Sequence, residues 1–156
     1  MNYPRLDFEQ KMKKCIVIST PGAKFSALAM KEDFKEGIKK VADLGYDAVE
    51  LAVRDPRMIN VHEIQKLLEQ YHLVVPAIGT GQAYGEEGLS LTDPDFEIRR
   101  KAVQRIKDQM NLSLELGGAQ VIIGLIRGTV ESGMDKKEVE KYFIQSMLEC
   151  LEYKPE

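Results

Sequence analysis

The chain has 156 residues, 44% of them apolar and 30% charged, with a formal net charge of −3. That balance fits one folded globular domain and not a disordered chain. It gives no electrostatic reason to bind a polyanion, so nucleic acid is not an expected partner. No apolar run is long enough to span a membrane, and Met1 to Lys14, with Asp7 and Glu9 and no apolar segment, does not read as a secretory signal. The two cysteines, Cys15 and Cys150, stand at opposite ends with no metal-ligand spacing. They read as two buried thiols of a cytoplasmic protein, with a bridge between them as the alternative.

Apolar runs and helical periodicities then alternate. Cys15-Ile16-Val17-Ile18-Ser19, ended by Pro21-Gly22, reads as a strand buried on both faces. A helix follows from about Lys31 to Leu44, with Phe34, Ile38, Val41 and Leu44 as its apolar stripe. Glu32 and Asp33 suit its N-terminus and Gly45 its C-terminus. Asp47 to Val53 is the second strand. Asn60, with Glu63 three residues on, caps a second helix that buries Val61, Ile64, Leu67, Leu68 and Tyr71. Leu73 to Ile78 is the third strand, weakened by Pro76, which has no ladder donor.

Gly79 to Thr92, with four glycines, reads as a long loop. Asp93-Pro94 then supplies a cap and a first-turn proline for a third helix. Its buried residues recur as Ile98, Ala102, Ile106, Met110 and Leu114, and Gly117-Gly118 ends it. Val121 to Leu125 is the fourth strand. A last helix, about Asp135 to Glu152, carries Val139, Phe143, Met147, Cys150 and Leu151. Strands alternating with helices imply parallel pairing through right-handed crossovers. Two architectures satisfy this, an open doubly wound sheet and a barrel. The first strand is not followed by a Gly-x-Gly-x-x-Gly turn and there is no phosphate-loop lysine, which weakens the nucleotide-binding open sheet.

The second strand carries the clearest chemical pattern. Val49, Leu51 and Val53 point one way; Ala48, Glu50, Ala52 and Arg54 point the other. In a barrel the branched set faces the helices. The small and charged set faces the lumen, with Glu50 and Arg54 near the C-terminal rim where such barrels hold their active sites. Glu50 needs a partner there. Arg54 would make the pair a structural plug, and a substrate hydroxyl would make it a site. After the third strand, Thr80 and Gln82 sit in a glycine turn and can hydrogen-bond a polyol; after the fourth, Arg127 can meet a carboxylate or phosphate, or stay in solvent. His62 and His72 fall on the barrel exterior with no metal-ligand neighbour, and no nucleophile elbow is present.

Several segments resemble the xylose isomerase-like TIM barrels of sugar isomerases and epimerases. They are Lys14 to Thr20, Gly45 to Pro56, Ala77-Ile78-Gly79-Thr80-Gly81-Gln82-Ala83-Tyr84, Gly88 to Thr92, Glu97-Ile98-Arg99 and Val121 to Gly128. Within that superfamily the chain is most similar to the ketose 3-epimerases, including 5-keto-gluconate epimerase, from about Met12 to Glu152. The resemblance implies an α/β fold comprising the N-terminal half, four βα units, of a (β/α)8 TIM barrel, with residues 1–11 as an extension and 12–156 as the half-barrel.

It also implies metal-assisted epimerisation beside a ketone through an enediolate. A divalent metal (Mn2+, Co2+ or Mg2+) would be held by Glu, Asp, His and Glu on strands five to eight. Those strands lie beyond Glu156, so no catalytic or metal residue carries over. Glu50, Arg54, Thr80, Gln82 and Arg127 match only the substrate-side rim. The resemblance therefore predicts a truncated, inactive member of the family. The alternatives are a non-catalytic binding or vestigial protein, or one half of a two-chain enzyme. Open edges at the first and fourth strands predict a homodimer or a complementary C-terminal half as partner.

Overall fold

In the computed structural model, which describes residues 12–21 and 33–155, four parallel strands pair in the order in which they occur along the chain. They are β1 (Cys15–Ser19), β2 (Ala48–Ala52), β3 (Ala77–Gly79) and β4 (Gln120–Ile122). Helix α1 (Phe34–Asp43) joins β1 to β2, and α2 (Val61–Gln70) joins β2 to β3. Helices α3 (Gly81–Glu87) and α4 (Phe96–Glu115) lie between β3 and β4, and α5 (Lys136–Leu151) follows β4. Sequential order with crossovers of one hand places α1, α2 and α4 on the same side of the sheet. A doubly wound sheet instead reverses its strand order at a switch point, so the order seen here decides for the barrel-like arrangement.

Alternation along the strands explains the core. Ile18, Val49, Leu51, Val53 and Ile78 turn toward the helices and meet Ile38 and Val41 of α1, Ile64 and Leu68 of α2, and Leu112 of α4. A second cluster joins Ala83 of α3, Leu89, Leu91, Ala102, Val103 and Ile106 of α4, Ile126, and Cys150 of α5. Four helices start on a side-chain cap that satisfies an otherwise unpaired backbone donor. Asp33, Asn60, Asp95 and Asp135 accept from the N–H of Lys35, Glu63, Glu97 and Lys137 at 2.9, 3.3, 2.8 and 2.9 Å. Gly45 follows α1 with φ of +73°, the left-handed conformation expected of it.

Several expected boundaries move. Gly79 to Thr92 is not all loop: α3 forms in its middle because Gln82 and Ala83 are buried, and tertiary packing there outweighs the low helix propensity of glycine. The next helix starts at Phe96 and not at Pro94, because Asp93 accepts from the N–H of Asp95 at 2.8 Å and so makes a turn ahead of the true cap. β3 is shorter than expected. Pro76 has no N–H, and upstream of it only Val74 bridges to Ala48. β4 also stops early, at Ile122, before a 3-10 turn over Leu125–Arg127. Leu44, Leu114 and Leu151, expected in buried stripes, are exposed, and so is Cys15; Cys150 is buried and both thiols are free. Glu32 and residues 1–11, to which a cap role and an N-terminal extension were assigned, lie outside the described residues.

Gly128 closes the turn after β4 with φ of +84°, and a Cβ built on it would overlap the hydroxyls of Thr92 and Ser90. Both the left-handed backbone and the close approach oppose any side chain. Gly128→Ala is therefore expected to lower stability by about 2–4 kcal/mol in urea unfolding, whereas Gly133→Ala, with open space around it, costs only the backbone strain.

Candidate functional site

The sheet face turned away from the helices is the place to look for chemistry. Register sets Ser19, Ala52, Gly79 and Ile122 in one row at the C-terminal ends of the strands. Val17 and Glu50 lie side by side in the row beneath. The Glu50 carboxylate rises against the backbone of Gly79, where a Cβ would stand 3.2 Å from its Oε1. Glycine at position 79 is what makes room for it. The expected Glu50–Arg54 pair does not form. Arg54 leaves the end of β2 toward α3, where its guanidinium lies 3.2 Å from Glu86 and 3.7 Å from Glu87. Two carboxylates of α3 thus hold Arg54. Among the described residues no hydrogen bond or ion pair engages the Glu50 carboxylate.

Thr80 and Gln82 tie the strand ends together. Thr80 donates to the carbonyl of Ile122 at 2.7 Å, linking the end of β3 to that of β4. Gln82, almost fully buried, donates through Nε2 to Ser19 Oγ at 3.1 Å, reaching from α3 to β1. Its Oε1 is buried and has no hydrogen-bond partner among the described residues. A buried amide oxygen left unpaired is an unmet acceptor, normally satisfied by protein, water or ligand. The structure thus brings Glu50, Gln82 and Thr80 to one end of the sheet. Arg127 stands exposed beyond β4, its nearest acceptor the carbonyl of Gly124 at 3.5 Å. His62 and His72 are exposed, as expected, away from this row.

One group was missed from the sequence. Arg105, 4% exposed inside α4, binds Glu87 at 2.9 Å, approaches Asp55 at 3.4 Å and donates to the carbonyl of Arg54. Gln109, one turn on, donates to the carbonyl of Val53 at 3.1 Å. Together they lock the exit of β2 and the C-terminus of α3 onto α4. The available signal was an Arg–Gln pair four residues apart on a face whose neighbours Ala102 and Ile106 are apolar. Two hollows among the described residues lie elsewhere, between α1 and α2 and beside His62 and His72, on the helix side of the sheet. No three His, Cys, Asp or Glu side chains converge as a metal site among the described residues. Among the described residues no helix is long and apolar enough to cross a membrane.

This geometry can be set against known proteins. Residues 38–156 match the family described as xylose isomerase-like TIM barrel. The chain belongs to that family. Among solved structures, D-psicose 3-epimerase from Clostridium cellulolyticum H10, determined with D-tagatose, is similar with a TM-score of 0.67 and 20% identity; the match covers 90% of this chain and 47% of that one. D-allulose 3-epimerase from a Methylomonas species, bound to D-allulose, matches with a TM-score of 0.61 and 24% identity over 74% of this chain and 39% of its own. A 3-keto-D-glucoside 4-epimerase from E. coli matches at 0.60 and 15%, over 88% and 50%. A comparison with proteins of curated function finds no match. The chain thus spans half or less of the barrels it resembles, and its four strands correspond to about half of a xylose isomerase-like barrel. The face holding Glu50 and Gln82 is the lumen side of that half.

Two groups have shifted acidity that can be measured. Asp55 is held below its ordinary 3.8, chiefly by hydrogen bonds from the Arg57 side chain, and further by the Arg57 backbone N–H and the charge of Arg105. A carboxyl depressed in the folded state contributes stability that is complete above its ordinary value and is lost as pH falls from there through the depressed value. Stability should therefore drop on acidification below about pH 4, and Asp55→Asn should flatten that drop in urea titrations at pH 3 to 7. The thiol of Cys150 is pushed up to about 11 by burial. Cys15 is raised first by partial burial and then by the charge of Glu50. At pH 8 a thiol reagent should label Cys15 in the folded chain and Cys150 only on unfolding. Glu50→Gln should speed the Cys15 reaction; an unchanged rate would place Glu50 away from it.

Proposed function

We propose that this chain forms the sugar-facing wall of a ketose or keto-sugar-acid epimerase and is catalytically silent by itself. The observation that carries the reading is the pair of unmet acceptors, Glu50 and Gln82 Oε1, at the C-terminal ends of the strands. Hydroxyl groups of a polyol are matched donors for such acceptors. Thr80 anchors the loop that presents Gln82, Arg54 acts as a structural tie through Glu86 and Glu87, and Arg127 is the group placed to meet a substrate carboxylate. The active sites of (β/α)8 barrels lie at this end of the strands, which supports the placement. Two unbridged cysteines fit a cytoplasmic setting.

Epimerisation beside a ketone needs a base on each face of the substrate and an electrophile on its oxygen. This chain offers one lumen carboxylate, Glu50, and no ligand set for a divalent ion among its described residues. Those parts would come from a covering half, either a second copy or a complementary C-terminal half. A second reading, sugar binding without turnover, is favoured for the isolated chain by the same lack of a ligand set.

The test is an amide-resolved NMR titration with D-allulose, D-tagatose and a keto-sugar acid, with and without Mn2+, alongside a turnover assay. Shifts confined to Ser19, Glu50 and Gly79–Gln82, lost about tenfold in apparent affinity in Gln82→Leu, are the expected result. Shifts centred on the α1–α2 hollow would sink the assignment of the site, and turnover by the chain alone would sink the inactivity.

A further inference from the structure

Away from the lumen row, one hollow combines buried hydroxyls with free carboxylates. It has a volume of about 420 Å3 and lies between α3, the turn leading into α4 and the loop after β4. Its polar lining is Tyr84, Ser90, Thr92, Asp93, Thr129 and Glu131. Gln82 and Glu86, four residues apart, mark the face of α3 turned to β1 and β2, since they bind Ser19 and Arg54. Tyr84 is two residues from each and therefore on the opposite face. The helix thus separates this hollow from Glu50 and Gln82.

The hydroxyls are fixed in place by the fold. Ser90 and Thr92 are 7% and 6% exposed, and their side-chain oxygens lie 3.3 Å apart. Ser90 Oγ also accepts from the N–H of Thr92 at 3.2 Å. Gly128 backs onto both oxygens, where a side chain would overlap them. The pair carries two hydroxyl protons, and the bond between the oxygens uses one. No acceptor among the described residues takes the other. A buried donor of this kind is normally met by protein, water or ligand, and the hollow is the space that both hydroxyls line. The carboxylates supply the matching acceptors. Asp93 spends one oxygen on the N–H of Asp95 at 2.8 Å. Its other oxygen, the Glu131 carboxylate and the hydroxyls of Tyr84 and Thr129 have no hydrogen-bond partner among the described residues.

The lining also selects a class of ligand. No lysine or arginine borders the hollow, so two carboxylates with no cation among them disfavour an anion. Hydroxyl donors beside carboxylate acceptors match the hydroxyls of a sugar ring, each of which both donates and accepts. The Tyr84 ring, Pro94 and Met134 give apolar surface for its C–H face. Ligand pockets run from about 300 to 1,000 Å3, so this one suits a single ring and not an oligosaccharide. We propose that the hollow is a second binding site, separate from the lumen face, for one neutral sugar ring. The proposal goes beyond the function assigned to the lumen face and does not rest on it.

The test is an amide-resolved NMR titration of the full chain at low salt with three probes. Methyl glucoside is neutral, and its locked acetal offers no ketone. Methyl glucuronide is its anionic counterpart, and ethylenediamine is a cation without hydroxyls. Saturable shifts at Tyr84, Gly88, Ser90, Thr92 and Thr129 with the glucoside are expected, with the glucuronide about tenfold weaker. Glu131→Gln, in an exposed loop, should weaken the glucoside about tenfold and Tyr84→Phe about threefold. Glu131→Gln should also narrow the gap between glucoside and glucuronide, which a merely structural role would leave unchanged. Absence of saturable shifts in the hollow overturns the proposal. So does binding of ethylenediamine without the glucoside, which would make the hollow a cation site. Glucoside shifts confined to Ser19, Glu50 and Gly79–Gln82 overturn it too and leave the lumen reading standing. The lumen reading fails separately, if keto sugars leave Ser19 and Glu50 unmoved while the glucoside still shifts the hollow.

Discussion

A parallel strand must bury two faces, and in this chain only one of them finds its cover within the described residues. Val49, Leu51 and Val53 leave water completely because α1, α2 and α4 close over them. That closure depends on every crossover having the same hand and on the strands pairing in sequence order. Both conditions send the helices to one side. They leave the other side as a row of small residues with one carboxylate, which is the lumen of a barrel and not the second layer of a sandwich.

The site end of the sheet is held by side chains that reach between elements. Thr80 ties β3 to the end of β4, and Gln82 ties α3 to the end of β1. Neither would be in register if α3 could drift. Its C-terminal glutamates are fixed by Arg54 and Arg105, and Arg105 is in turn buried in α4. Its two terminal nitrogens are engaged by Glu87, Asp55 and the carbonyl of Arg54, while its Nε is buried without a partner among the described residues. The clamp therefore transmits the position of α4, the longest helix, to the loop that presents Gln82.

The alternation of strands and helices was legible because it rests on periodicity, and β1 and the Asn60 cap fell where the residues placed them. What was not legible depended on contacts distant in sequence. Gly81 and Gly85 argue against a helix locally, yet burial of Gln82 and Ala83 makes one. Asp93-Pro94 has the chemistry of a helix start, but the aspartate two residues on, at position 95, takes the cap. Leu151 belongs to an apolar periodicity that the structure leaves in solvent. It stands beside Ile144 and Leu148 on the flank away from α4, and all three are exposed. At the site, Glu50 was legible as a lumen carboxylate and Gln82 as a rim polar group. The competition for Arg54 was not, because Glu86 and Glu87 reach it only once α3 has formed.

That competition decides the electrostatics of the lumen. A carboxylate and an arginine four residues apart at the end of one strand would ordinarily neutralise each other, and the site would be closed to ligands. Arg54 instead leaves the strand end toward α3 and meets two carboxylates there, Glu86 and Glu87. Glu50 is left half-buried beside Gly79 with its charge unanswered from within the described residues. An unanswered charge is costly in a closed, dry interior and cheap at an open one. Glu50, half-buried, is still reached by water. A half that closed the lumen would have to bring the compensating donor or cation with it, so that completing the shape and completing the chemistry would be one requirement.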